Sequence, residues 1–216
     1  MIMLKKLFFI LCSTISACVY ADSGLYLGIG TGYATINANT TNGFSYIDGN
    51  SDKSDGNMLG NLFIGYDFSR YVGLQADYYY IASTQYSTGS DIPGIQGSFT
   101  INQQTIALGI TGHLPFELFA NSLSGLSLFA KLGMGYNMIN IDGGTVANYD
   151  QSYIQSLSGY SGGLSPMLGG GVEYGIDNVG LRAEYERIGD ITFSRDNQNL
   201  LNINNNLYMV SAFYHF

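Results

Sequence analysis

Charge and long apolar runs are both scarce in this 216-residue chain. Charged residues are only 11% of it, eight Lys and Arg against sixteen Asp and Glu, and there is no Trp. A formal charge of −8 with so few cations leaves no basic patch to meet phosphates, which argues against nucleic acid as a partner. Only two histidines, His113 and His215, are available for acid–base work, and the only cysteines, Cys12 and Cys18, lie near the amino end. Hydrophobic residues are nevertheless 46% of the chain and aromatics 14%, with 29 Gly. Past the opening segment no apolar run approaches the roughly 20 residues that a membrane-spanning helix needs. The hydrophobicity is therefore dispersed, as alternating strands disperse it. The length suits one domain, and no change of composition marks a second.

The amino end carries a different pattern. Lys5 and Lys6 precede an apolar stretch from Leu7 to Ala17, and Val19, Tyr20 and Ala21 follow. Residues 1–21 read as a secretory signal peptide, with cleavage expected after Ala21 and a single mature domain over 22–216. Ile15-Ser16-Ala17-Cys18 also resembles a lipoprotein processing box with Cys18 lipidated, an alternative that intact mass distinguishes. Cleavage after Ala21 removes both cysteines, so the mature chain has no disulfide, reactive thiol or cysteine metal site. It also removes two lysines and makes the chain still more acidic.

Eight strands of period two are expected, at about 24–36, 58–68, 71–81, 103–112, 126–141, 164–176, 179–188 and 206–216. Short turns at Ser69-Arg70 and Asp177-Asn178, and a longer one from His113 to Gly125, alternate with polar loops at about 37–57, 82–102, 142–163 and 189–205. The stretch from Pro115 to Phe119 reads as a short interfacial helix. The fold class that follows is all-β: an eight-stranded antiparallel up-and-down transmembrane β-barrel, with the short turns periplasmic and the long loops outside. Bulk decides the faces. Leu128, Leu132, Met134 and Tyr136 oppose Lys131 and Asn137, and Val179, Leu181 and Tyr185 oppose Arg182, Glu184 and Glu186. Arg or Lys facing lipid at mid-bilayer costs roughly 2–4 kcal/mol, so the charged faces point into the lumen. A soluble lipocalin-type barrel would instead carry its apolar face inside.

The final strand, with Tyr208, Val210, Ala212, Tyr214 and Phe216 on one face, resembles the terminal signal of bacterial outer-membrane barrels, with Tyr214 and Phe216 as the residues read for assembly. Further motifs agree. They are Gly170-Gly171-Val172-Glu173-Tyr174, then Arg182, Glu184-Tyr185 and Ile188-Gly189-Asp190, and earlier Gly65-Tyr66-Asp67, Tyr71-Val72-Gly73-Leu74 and Tyr78. In order and spacing they resemble the transmembrane domain of the OmpA family over essentially the whole mature chain. The resemblance implies an integral protein of the bacterial outer membrane, in contact with outer-membrane lipid and lipopolysaccharide, handled by the barrel assembly machinery and periplasmic chaperones, and monomeric. Many members continue into a periplasmic domain that grips peptidoglycan. This chain ends at Phe216, so a wall-anchoring role is not expected. The family's lumenal ion-pair gate is matched at Glu173 and Arg182, but Gln75 stands at its strand-three carboxylate and Ala107 at its strand-four lysine. A fixed plug is expected in preference to a switch.

A two-residue turn at Asp177-Asn178 sets Glu173 opposite Arg182, with Lys131 and Glu184 nearby, as the lumenal ion-pair candidates. No catalytic residue, cofactor or metal is expected. Both histidines fall at the periplasmic end, a membrane thickness from surface lipopolysaccharide. Asp48, Asp52 and Asp55 faintly resemble a calcium loop but lack the closing bidentate Glu, and with Asp142 and Asp150 they read as solvated loop carboxylates. The expected role is structural and surface-interacting (adhesion-like), with host or other cell-surface ligands meeting the extracellular loops. The alternatives are a narrow porin-like channel and a lipid-modifying outer-membrane enzyme.

Overall fold

The computed structural model describes residues 24–40, 51–52, 57–88, 97–143, 159–195 and 198–216. Residues 1–21, expected to be a signal peptide, with Cys12 and Cys18, and the carboxylates Asp48, Asp55 and Asp150, lie outside the described residues.

Nine strands form one antiparallel sheet: β1 (Gly24–Thr40), the two-residue β2 (Ser51–Asp52), β3 (Asn57–Ser69), β4 (Val72–Thr88), β5 (Gly97–Pro115), β6 (Leu126–Gly143), β7 (Gly159–Ile176), β8 (Val179–Arg195) and β9 (Gln198–His215). Apart from β2, which pairs with the far end of β4, each long strand is bonded to a neighbour on both sides. The ring closes where β1 meets β9 over a register running from Tyr26↔His215 to Thr40↔Leu201. The eight long strands are a closed barrel with no free edge.

The strands run further than the sequence suggests. The polar segments 82–88, 97–102, 159–163, 189–195 and 198–205, which read as loop, are paired strand. Their Asn, Ser and Gly content lowers intrinsic strand preference, yet hydrogen bonding to both neighbours in a closed ring overrides it. Bulges interrupt the ladders between Ile81 and Thr84 and between Ile188 and Ile191. At the opposite end the connections are short. Asp177, at φ 52°, takes the left-handed conformation that the two-residue turn requires. The longer connection folds as two single-turn 3-10 helices, Phe116–Leu118 and Asn121–Leu123, and is tied down by an Arg70–Glu117 ion pair of 3.0 Å.

Burial alternates along most of each strand, as in β3 and from Val179 to Ile188 of β8. The outer wall is leucine, isoleucine, valine and tyrosine, including Leu27, Ile29, Leu62, Ile64, Leu108, Leu132, Leu181 and Val210. The lumen has three layers. Toward the long-loop end lies an apolar cluster that includes Leu59, Ile81, Ile101, Ile139, Ile188 and Leu207. The middle is charged. Toward the short-turn end lie Tyr26, Phe63 and Phe213. The inward Gly and charged residues of the sequence give no sign of this apolar layer. An eight-stranded lumen is narrow enough to be filled like a core, and inward isoleucines fill it.

Candidate functional site

The site is the middle of the lumen, where two ion clusters sit one above the other. The lower one is centred on Arg182. The Asp177-Asn178 turn sets Glu173 and Arg182 directly opposite each other, and their side chains approach to 3.4 Å. Arg182 also lies 3.9 Å from Glu184, whose other oxygen accepts from Ser211 at 3.4 Å. Glu173 is approached at 3.0 Å by Nδ1 of His113. The guanidinium is enclosed by three rings, its Cζ being 5.2 Å from the centroid of Phe63, 4.4 Å from Phe129 and 5.2 Å from Phe213. A desolvated cation over a ring face gains on the order of 2 kcal/mol, so the cage holds the charge in place as well as covering it.

Glycine makes room for the cage. Phe63 lies across from Gly28, Tyr26 from Gly65 and Phe213 from Gly180. A Cβ on any of the three glycines would come within 2.1 Å of the facing ring, so the aromatic groups occupy space that only Gly leaves.

Lys131, expected beside Glu173 and Arg182, belongs to the upper cluster instead. Its ammonium group contacts Asp77 at 3.1 Å, Tyr79 Oη at 3.1 Å, and Glu186. Tyr79 in turn donates to Glu186 at 2.5 Å. All four side chains are essentially inaccessible, Lys131 at 1% and Glu186 at 0%. Asp77, Tyr79 and Glu186 were missed as site residues. Asp77 supplies a strand-three carboxylate two positions beyond Gln75, one inward step along β4. The Tyr78-Tyr79-Tyr80 run conceals the alternation that would have placed it inside.

Gln75 joins the two clusters. Its carbonyl oxygen accepts from Arg182 at 2.8 Å and from Tyr26 Oη at 2.9 Å, while its amide donates to Asp77 at 2.7 Å. A neutral bridge thus stands at the position of the family's carboxylate. Ala107 is a small buried lumen residue, and the lysine comes from β6 rather than from β5.

At the short-turn end a cavity of about 490 Å³ opens below Arg182, lined by Asp67, Arg70, His113, Glu173 and His215 among others. Both histidines face it. His113 Nε2 stands 3.7 Å from Asp67, and His215 Nε2 stands 4.0 Å from it. Tyr214 and Phe216 point outward, 46% and 71% exposed, with their rings 5.2 Å apart. At the opposite end Asp142 is exposed and accepts from Asn102 and Asn140, whereas Asp52 is described only by its backbone pairing in β2. Among the described residues no group of His, Cys, Asp and Glu is arranged to hold a metal ion.

The family model described as outer membrane protein beta-barrel domain matches residues 7–216. The chain belongs to that family. It is a protein of the bacterial outer membrane, with an OmpA-like eight-stranded barrel. Among solved structures it is similar to Neisserial surface protein A (NspA), at 14% identity over 91% of this chain and 100% of that one, with a TM-score of 0.55. It is also similar to OprG from Pseudomonas aeruginosa, at 14% identity, 89% and 96% coverage and a TM-score of 0.48. Ail of Yersinia pestis, solved with the heparin analogue sucrose octasulfate, matches at 18% identity, 89% and 99% coverage and a TM-score of 0.44. At such identities the likeness is one of fold alone. No curated protein sequence is a significant match. Membership sets what surrounds the barrel: the leucine and isoleucine wall faces the lipid of the outer membrane, and the caged Arg182 lies within that wall.

Proposed function

We infer that this barrel is a non-enzymatic outer-membrane scaffold with a permanently plugged lumen, whose work is structural and lies in surface contacts made by its extracellular segments. The observation that carries the reading is the Arg182 cage. A gate built on exchange of ion-pair partners needs a cation free to swing. Arg182 is held by three rings, two carboxylates and Gln75, and leaving that site would take the guanidinium from both carboxylates, leaving Glu184 with Ser211 alone. The apolar layer above adds a second block, since an ion crossing it would have to shed its water. The histidines favour the non-enzymatic reading, because both sit at the periplasmic mouth, far from lipids of the outer leaflet. Segments carried on so rigid a frame are suited to binding.

A narrow channel is the second reading, favoured by the periplasmic cavity that reaches up to Glu173. Asp77, Glu173, Glu184 and Glu186 outnumber Lys131 and Arg182, so such a channel would select cations. Planar-bilayer recording of the purified protein separates the two. The plug predicts no discrete steps above the bare-membrane level, and reproducible cation-selective steps in the parent protein overturn it. Protease and antibody access to 41–50, 89–96 and 144–158 in intact cells tests the surface role. Protection of all three segments would leave that role without a contact surface.

A further inference from the structure

We propose that the cavity at the short-turn end is a binding site for a primary ammonium group. Asp67, near the end of β3, is 7% exposed, and Thr111, on β5, is 0% exposed. The register sets Asp67 beside Gly73 and Gly73 beside Thr111, so the glycine leaves space between the two side chains. A Cβ on Gly73 would fall 2.2 Å from Asp67 Oδ1 and 2.7 Å from Thr111 Oγ1. His113 Nε2 stands on another side of the same carboxylate oxygen, at 3.7 Å, too far for a hydrogen bond. Asp67 Oδ1, Thr111 Oγ1 and His113 Nε2 have no hydrogen-bond partner among the described residues.

The chemistry of the three atoms selects the ligand. Nδ1 of His113 lies 3.0 Å from Glu173, which assigns the ring proton to that nitrogen and leaves a lone pair on Nε2 of the neutral ring. A carboxylate, a hydroxyl and an imidazole nitrogen are then three acceptors grouped round Asp67 Oδ1. An alkylammonium brings three N–H donors and the charge that Asp67 calls for, whereas a quaternary ammonium brings the charge alone. The cavity suits the rest of such a molecule. Val179, Phe213 and Phe216 give it apolar wall, and its acidic lining residues are Asp67, Glu173 and Asp177. Arg70, which also lines it, is paired with Glu117. Two sources carry a primary ammonium to this place. One is a small amine from solution. The other is the chain itself, because the cleavage expected after Ala21 frees an α-ammonium two residues before Gly24, and Gly24 both lines the cavity and pairs with Asp67. The proposal stands whether or not the lumen above conducts.

The test places the chain from Asp22 onward in lipid nanodiscs at about pH 8, above the ordinary range of histidine protonation, and titrates n-propylammonium against the Thr111 and His113 resonances. Binding to the chain with a free α-amine identifies a solution amine as the ligand. Binding only after the α-amine is acetylated shows that the terminus holds the site, and either result supports the proposal. In the form that binds, Asp67→Asn should weaken the probe on the order of tenfold and Thr111→Val a few-fold, as loss of a charged and of a neutral hydrogen bond would. Propyltrimethylammonium, which has no N–H to donate, should bind roughly tenfold more weakly than the probe. Thr111→Val keeps the shape of the side chain, so its unchanged thermal unfolding separates loss of the site from loss of the fold. Failure of both forms to bind overturns the proposal. So does equal binding by the parent, Asp67→Asn and Thr111→Val, or equal binding of the quaternary ion.

Discussion

Replacing Arg182 by alanine removes the hub of the lower lumen, and the structure sets the size of the effect. Arg182 is 2% exposed, and its partners Glu173 and Glu184 are 7% and 6% exposed, so none recovers full hydration when the cation leaves. Glu173 keeps His113, and Glu184 keeps only Ser211. Stranding one buried carboxylate costs about 3–5 kcal/mol, and loss of the side chain from among Phe63, Phe129 and Phe213 adds a cavity. Water entering from the cavity at the short-turn end offsets part of that, so about 3–5 kcal/mol is the expected total. The assay is urea unfolding from lipid vesicles, followed by the gel mobility shift between folded and unfolded forms. Arg182→Met separates the two contributions by keeping the cage filled while removing the charge. Combined with Glu173→Gln and Glu184→Gln, it should recover much of the lost stability, since no buried charge is then left without its partner. An Arg182→Ala barrel less than about 1 kcal/mol below the parent would refute the argument that this cluster is dry and fixed.

Gly180→Val and Gly28→Val should each destabilise the barrel or rearrange its lumen, by roughly 1–3 kcal/mol or more, because even their Cβ atoms would meet a ring at 2.1 Å. Gly180→Val combined with Phe213→Ala should be milder than Gly180→Val alone, as the same unfolding assay would reveal. Lys131→Met should cost about as much as Arg182→Ala, since it strands Asp77 and Glu186 in a fully enclosed layer. Partial rescue by Glu186→Gln is expected, and its absence would mean that Asp77 alone sets the cost. Gln103 is 1% exposed between Ile81 and Ile139, and neither end of its amide has a partner among the described residues. Gln103→Leu should therefore be neutral or stabilising, whereas a loss above about 1 kcal/mol would indicate ordered water bound at that amide.

Much of the architecture was legible because it rests on local pattern. The alternation in β8 separates Arg182, Glu184 and Glu186 from Val179, Leu181 and Tyr185 without reference to any other strand. The Asp177-Asn178 turn brings Glu173 opposite Arg182 by counting alone. Contacts across the lumen are a different matter. Lys131 on β6 meets Asp77 on β4 and Glu186 on β8, strands that are not its hydrogen-bonded neighbours. Which residues share a height there depends on the stagger of the closed barrel, a property of the whole ring that no segment encodes. The Arg182 cage was missed for the same reason. Phe63, Phe129 and Phe213 come from three strands, and each alone reads as an ordinary inward or anchoring aromatic residue. Strand ends were missed because Asn- and Ser-rich segments resemble loop until a partner strand holds them.

The rings of Tyr26 and Phe213 stand 5.9 Å apart across the β1–β9 seam, joining residues from opposite ends of the barrel sequence. Contacts of such long sequence separation form late, because the entropy of closing so large a loop must be overcome before they contribute. The Tyr26–Phe63–Phe213 cluster therefore completes only when the first and last strands meet. In a chain without tryptophan the near-ultraviolet signal comes from its 18 tyrosines, and the part of it lost in Tyr26→Phe becomes a clock for that event: it should lag behind strand formation during refolding into lipid and appear together with the closed, heat-resistant species.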